Sequence, residues 1–229
     1  VIAAADQRNT HWSDWGNIDT VVRRSTDNGL TWEDPIDVID LKSQSYFSGT
    51  QSAYTIDPAM IAEDENGKNP GRVWMLVDMF PESTNGSQGT WSIKETGTGY
   101  VKVDGKDYLS LYDKDNNQYT LRENGEVFDK DNQKTDYVVK QFEGNDEQGY
   151  HEKGDLYKSG EYVGNIYLRS TSKNNDSAPL HPTQTCYLWL SYSDDDGVTW
   201  SDPVDITPQV KADWMRFCGV GPGFGVQLQ

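Results

Sequence analysis

The chain is short of cations, of cysteine and of long apolar runs, and each shortage removes a class of function. Lys and Arg number 20 against 37 Asp and Glu, a formal net charge of −17. Such a surface repels nucleic-acid phosphate and anionic membrane alike, so neither is expected as a partner. No stretch approaches the roughly 18 consecutive apolar residues of a membrane span, and no basic and apolar leader opens the chain. The only cysteines, Cys186 and Cys218, are too few for a disulfide framework and fit either two buried thiols or one bridge. His11, His151 and His181 show no metal-ligand spacing and read as lone surface or turn histidines, and no Ser-His-Asp or Cys-His set can be assembled. Asp113-Lys114-Asp115-Asn116-Asn117 starts like a calcium loop, but Gln118 stands where its glycine belongs and no Glu closes it. Neither a metal nor a cofactor is expected.

Helical periodicity is scarce as well. Short apolar alternations bounded by Gly, Asn, Asp and Pro recur instead, as in Val21-Val22, Val73-Trp74-Met75-Leu76-Val77 and Tyr187-Leu188-Trp189-Leu190, so the chain reads as all-β. One segment repeats. Ser25-Thr26-Asp27-Asn28-Gly29-Leu30-Thr31-Trp32-Glu33-Asp34-Pro35-Ile36-Asp37 returns as Ser193-Asp194-Asp195-Asp196-Gly197-Val198-Thr199-Trp200-Ser201-Asp202-Pro203-Val204-Asp205, identical at eight of thirteen positions. Each copy predicts a hairpin in which a strand enters, Gly takes positive φ in a tight turn, and a Trp anchors beneath it. Repeated hairpins that cannot each bury a core imply blades of a β-propeller.

The copies lie too far apart for neighbouring strands of blades of about 40 to 50 residues. Residues 81–164 supply the excess. There, turn pairs at Asp104-Gly105, Asn116-Asn117 and Asn124-Gly125 separate the short strand candidates Tyr100–Val103, Tyr108–Tyr112, Tyr119–Arg122 and Glu126–Phe128, a small inserted β domain. The expected organisation is blades over 1–80, the insertion over 81–164, and blades again over 165–229, with loops at Ser83–Thr90 and Ser170–Ser177. An inserted domain of this kind is expected to have its own core and few crossing contacts. What remains suffices for about three blades, and an open half-propeller would leave sheet edges in water. The apolar, strand-like runs at both ends also read as cut, so the sequence is expected to be a piece of a longer polypeptide or one of two chains that complete each other.

Ser-x-Asp-x-Gly-x-Thr-Trp, present twice, is similar to the Asp-box of sialidases, a structural motif that also occurs in other β-rich proteins. A sharper likeness lies upstream of the first box, in Ala5-Asp6-Gln7-Arg8 followed by Ser13-Asp14-Trp15-Gly16. Further matches follow in order: Ile56-Asp57, Asp78-Met79-Phe80-Pro81-Glu82, Lys153-Gly154-Asp155-Leu156-Tyr157, and Trp214-Met215-Arg216-Phe217 with Gly219-Val220-Gly221-Pro222-Gly223. Together they resemble the catalytic domain of large bacterial exo-sialidases across the whole chain.

The resemblance implies a six-bladed propeller, of which this chain is a part, with a small β domain inserted in an early blade. It implies removal of terminal α-linked sialic acid from glycans with retention, by a Tyr nucleophile assisted by a Glu and an Asp as acid/base, with three Arg clamping the substrate carboxylate. Carried over by residue, Asp14 matches the acid/base. Arg8 matches an Arg on the sugar's O4 side, Asp57 an Asp lining the O4 and N-acetyl region, and Ile56 and Phe80 the wall that receives the N-acetyl methyl group. Each has a plainer alternative: Asp14 as a turn cap, Arg8 as a salt-bridge partner of Asp6 or Asp19, Ile56 and Phe80 as core packing. The nucleophile pair, the clamp and an Arg-Ile-Pro motif are expected outside residues 1–229. The implied partners are sialylated glycans and the remainder of the same sialidase, and the implied place is secreted or at a bacterial cell surface. Trp12, where hydrolytic relatives often have His, points toward the intramolecular trans-sialidases of the family. The rival reading is a non-catalytic sialoglycan-binding or structural Asp-box propeller.

Overall fold

The structure, a computed structural model, describes residues 1–9, 12–14, 16–41, 52–82, 93, 95–169, 178–221 and 223–228. The loops expected at 83–90 and 170–177, and His11, lie outside the described residues. Strands dominate, and the helical content among the described residues is one turn, α1 (Thr207–Val210), and a short 3-10 turn at Glu123–Gly125.

The first sheet is an antiparallel meander of β1 (Ile2–Arg8), β2 (Ile18–Arg24) and β3 (Ile36–Ile39). Central β2 is buried from Ile18 to Val22, while β1 largely alternates between half-buried and exposed positions, as a strand covered on one face must. A second sheet begins with β4 (Tyr54–Ala62) and β5 (Val73–Phe80), paired antiparallel.

After β5 the chain departs into a long antiparallel sheet. It comprises β6 (Tyr100–Val103), β7 (Lys106–Tyr112), β8 (Gln118–Leu121), β9 (Glu126–Asp129), β10 (Lys134–Val139), β13 (Asp155–Lys158), β14 (Glu161–Asn165) and the two-residue β15 (His181–Pro182). A side hairpin of β11 (Gly144–Asp146) and β12 (Gly149–His151) interrupts it. Turn residues at positive φ, among them Asp104 and Gly105, Asn116, and Asn124 and Gly125, sit where the sequence pairs placed them. The chain then rejoins the second sheet as β16 (Tyr187–Ser193) along β5, with β17 (Val204–Asp205) outside it and β18 (Gly223–Phe224) parallel to β4.

The two Asp-boxes close the β2–β3 and β16–β17 hairpins with the same bonds. Ser25 Oγ and Ser193 Oγ accept the amides of Gly29 and Gly197 at 2.7 and 2.8 Å, and the Thr31 and Thr199 hydroxyls each donate to the box aspartate at 2.6 Å. Asn28 and Asp196 share the positive φ expected of the glycines alone. The tryptophans differ: Trp200 Nε1 donates to Gly197 O at 3.3 Å, whereas Trp32 only lies along Gly29 and stays 39% exposed. The anchor expected in both copies is therefore firm in the second.

The sheets lock together through Thr20 and Thr55, whose hydroxyls meet at 2.7 Å in the interior, and through Arg24, whose Nε donates to Asp196 O in the second box at 2.8 Å. The apolar core does not divide at the boundaries read from the sequence. Val22, Met75, Val77, Leu109, Leu111, Val127, Leu156 and Trp189 belong to one buried cluster. Tyr167 meets Trp189 edge-on at 5.5 Å, and Lys153 lies over the Trp189 ring while Nζ donates to Pro203 O at 2.9 Å. The long sheet thus shares its apolar cluster with β16, as a single open sheet needs another element to cover its apolar face.

Candidate active site

Asp6 and Arg8 lie two apart near the end of β1 and so share a face. Beyond them the chain folds into a loop closed by Asn9 N–H on Asn17 O at 2.9 Å and by Gly16 N–H on Ser13 O at 3.2 Å. Arg8 organises this loop from below. Its Nη1 donates to Trp12 O and to Asp14 Oδ1, each at 2.7 Å, and its Nη2 to Asp6 Oδ2 at 3.1 Å. Partial burial opposes the Arg8 charge, but the Asp14 and Asp6 carboxylates outweigh it and raise its pKa. Asp14 is thus oriented by a fixed cation while its side chain stays 61% exposed, free to meet a ligand. Trp12 beside it is 84% exposed.

Asp57 approaches from β4. There the β4–β5 register shifts between Ile56 and Ala59, and Asp57 sits at φ 60°, the left-handed region an aspartate tolerates better than most residues. Its amide donates to Asp6 Oδ1 at 3.1 Å. Burial, then the nearby Asp6 and Asp14 charges, raise the Asp57 pKa, with Arg8 working against them. The sequence put Arg8 and Asp57 on the same side of the sugar and offered Asp6 or Asp19 as a salt-bridge partner of Arg8. Asp6 is that partner, and it also links Arg8 to Asp57, one oxygen on the guanidinium and the other on the Asp57 amide. Strand alternation, which puts Asp6 on the face of Arg8, is the signal for this second role.

Ile56 and Phe80, 4% and 2% exposed, back this cluster together with Ile18, Tyr54, Ile93 and Cys186. Tyr54 stacks on Phe80 at 4.9 Å, and Phe217 lies near-parallel to Phe80 at 6.4 Å, so Phe217 covers the wall from the far segment. Asp78, opposite Ile56 in the β4–β5 ladder, is a further carboxyl, one that the sequence placed in a matching run but gave no role. It is 1% exposed and accepts the Val220 amide at 2.8 Å. Burial pushes its pKa up to about 7, the Val220 donor opposing and Asp57 adding to the rise. Gly219 is required here because a Cβ would run into Asp78 Oδ2 and the Phe217 ring.

His151 and His181 make none of the hydrogen bonds of this cluster, and Cys186 enters it only as part of the apolar backing. Both thiols are free, with Cys186 Sγ donating to Cys218 O at 3.5 Å. His151 is not a surface residue: it is 1% exposed, under the edge of Phe142 at 4.8 Å. His181 Nδ1 meets Ile166 O at 3.0 Å, and burial, then Arg169, push its pKa down to about 4.

No family model matches the chain. It is 31% identical over 261 aligned residues to an anhydrosialidase of Macrobdella decora, covering 100% of this chain and 32% of that protein. Sialidase B of Streptococcus pneumoniae is 29% identical over 159 residues, 61% of this chain and 21% of that protein. Among solved structures, the intramolecular trans-sialidase of Ruminococcus gnavus bound to oseltamivir carboxylate superposes with a TM-score of 0.76 at 28% identity, over 99% of this chain and 49% of that one. A leech intramolecular trans-sialidase complexed with 2,7-anhydro-Neu5Ac gives 0.74 at 26%, over 99% and 36%. The chain has sialidase homologues along its full length and spans about a third of the curated relative it matches throughout.

Proposed function

We propose that this chain is part of a sialidase that releases terminal α-linked sialic acid from glycoconjugates with retention. The observation that carries the reading is the Arg8-bound, solvent-facing Asp14, in a chain aligned end to end with an anhydrosialidase. Asp14 serves as the acid/base: Arg8 aims its carboxyl, and the exposed side chain can give a proton to the departing glycosidic oxygen and later take one back. Arg8 and Asp57 bound the O4 and N-acetyl side of the sugar, backed by Ile56 and Phe80. The Tyr and Glu of the nucleophile, and the arginine clamp, come from the rest of the protein. Residues 1–80 and 165–229 are propeller blades and 81–164 the unit inserted into one of them, with β4, β5, β16 and β17 in that blade and β15 lent to the edge of the inserted sheet. Sialylated glycans are the substrates, and a secreted or cell-surface place in a bacterium belongs to the same proposal. No helix among the described residues is long and apolar enough to cross a membrane.

The full-length relatives and the exposed Trp12 favour intramolecular transfer, which yields an anhydro sugar, over hydrolysis. The test is incubation of the full-length protein with 3′-sialyllactose and product analysis by mass spectrometry and NMR. An anhydro product, one water lighter than free sialic acid, is expected. Free sialic acid alone would make the protein a hydrolase, and binding without release would leave the non-catalytic propeller.

A further inference from the structure

A groove of about 1460 Å³ is lined by β6, β7 and the turn at 113–117, by the run 178–184, whose β15 pairs with β7, and by the segments 95–99 and 213–216. The 213–216 end of the groove is linked to the Phe80 wall through the chain. Gly97 N–H donates to Met215 O at 2.9 Å, Gln184 N–H to Glu95 Oε2 at 3.2 Å, and the next side chain after Arg216 is Phe217, stacked on Phe80.

The lining presents hydrogen-bonding side chains on β7 and β8. Tyr112 and Gln118 face each other across the β7–β8 ladder, both half-buried. Gln118 Nε2 donates to Ser110 Oγ at 3.1 Å and to the Tyr112 hydroxyl at 3.3 Å, which fixes the amide orientation. Among the described residues, the Tyr112 hydroxyl proton then has no acceptor and Gln118 Oε1 no donor. A donor and an acceptor side by side match adjacent hydroxyls of a neutral sugar. Charge does not favour a second anionic sugar: Glu95, Asp113, Asp115 and Asp213 line the groove with Lys114, Arg169 and Arg216, and Lys114 is paired with Asp115. The carboxylates outnumber the cations, which suits an uncharged sugar better than an anionic one.

We propose that this groove is the binding site for the neutral oligosaccharide to which the sialic acid is attached, with Tyr112 and Gln118 as its polar anchors. The proposal rests on the sialidase reading and adds a second, specificity-determining site to it. The full-length protein and its Tyr112→Phe/Gln118→Ala double variant are assayed on sialyllacto-N-tetraose and on 4-methylumbelliferyl sialoside. The expected result is a fall of about tenfold in kcat/KM for the pentasaccharide, the loss of one to two ordinary hydrogen bonds, with the aryl sialoside unchanged within about twofold. An equal change on both substrates, or none on either, overturns the groove while leaving the sialidase reading intact. If the wild type cleaves neither sialoside, that reading fails and the groove is decided by binding alone. Saturation-transfer NMR with lacto-N-tetraose then gives a wild-type signal that the double variant loses, and no wild-type signal overturns the proposal.

Discussion

The Asp-boxes and the candidate active site are both built round aspartates, and the two settings drive those carboxyls in opposite directions. In the boxes, Asp27 and Asp195 take hydrogen bonds from the Thr hydroxyl, the Thr amide and the Ser hydroxyl of their own turns, which hold their pKa down to about 2. Every partner lies within four residues. At the site, Asp78 has one amide donor and a buried setting that lifts it to about 7, and Asp57 is raised by burial and by neighbouring carboxylates. Their neighbours come from β1, β4, β5 and the 217–220 segment. A carboxylate ringed by local donors is a structural pin and stays charged, whereas one desolvated among other acids keeps its proton available.

The largest effect expected from breaking this contrast is on turnover. Asp14→Asn in the full-length protein should lower kcat/KM for unactivated sialosides by about 10²- to 10⁴-fold, the range for loss of a general acid. Aryl sialosides, whose leaving groups need no proton, should lose far less. Equal losses on both would remove Asp14 from the acid/base role. Asp27→Ala should instead lower the melting temperature and leave kcat/KM of the folded protein as it was.

Within the boxes, the two glycines separate turn strain from packing. Gly197→Ala forces a side chain to φ 82° and sets a Cβ 2.9 Å from Ile2 Cδ1, so it should destabilise by about 1 to 3 kcal/mol. Gly29→Ala meets nothing nearer than Trp32 at 3.8 Å and should cost only the backbone strain, near the low end of that range. Urea unfolding of the two variants measures the gap. Equal losses would mean the Ile2 contact relaxes freely.

The opposed pKa shifts predict opposed responses to pH. A carboxyl whose folded pKa is depressed stabilises above its unfolded pKa of about 4, and that contribution disappears as pH falls through the folded value. The box aspartates therefore fail between about pH 4 and 2. Asp78, raised to about 7, is protonated when folded and ionised when unfolded across the interval from about 4 to 7. Stability should then fall as pH rises through that interval, by up to about 1.4 kcal/mol per pH unit for the one group, and level off above it. Asp78→Asn, which keeps an acceptor for the Val220 amide, should flatten that part of the curve. Urea midpoints at pH 4.5, 6 and 7.5 decide it, and an unchanged slope would show that Asp78 ionises freely in the fold.

These contrasts also explain what could be seen in the sequence. The box turns, the hairpin strands β6 to β9 and the run Val73–Val77 were legible because their determinants are local: alternation, turn pairs and a Ser-x-Asp spacing whose bonds span four residues at most. Arg8, Asp14 and Asp57 were found through a resemblance, and the structure brings them to one place. What stayed hidden is long-range. Asp78 looks like any aspartate in a strand until Val220, 142 residues on, lies against it. His151 reads as a surface residue until the β11–β12 hairpin buries it under Phe142. The shared core hides for the same reason: nothing in the alternation of β7 and β9 says that Leu109, Leu111 and Val127 will share a cluster with Trp189.

The smallest expected effect concerns the bridge through Asp6, and it tests the site's wiring. Arg8 and Asp6 are in direct contact at 3.1 Å with side chains 29% and 17% exposed, so a double-alanine cycle should give a coupling of about 0.5 to 1 kcal/mol, as for a partly buried pair. Arg8 and Asp57 touch only through Asp6, and their effects on kcat/KM should add within about 0.5 kcal/mol, the criterion for independent sites. The same cycle in an Asp6→Asn background sharpens the point. The substituted side chain retains a carbonyl oxygen but no charge, so Arg8 loses one of two carboxylates while the Asp57 amide keeps an acceptor. If Arg8 and Asp57 couple above about 0.5 kcal/mol with Asp6 intact, a bound ligand draws them into direct contact. The bridge through Asp6 then opens when the ligand binds.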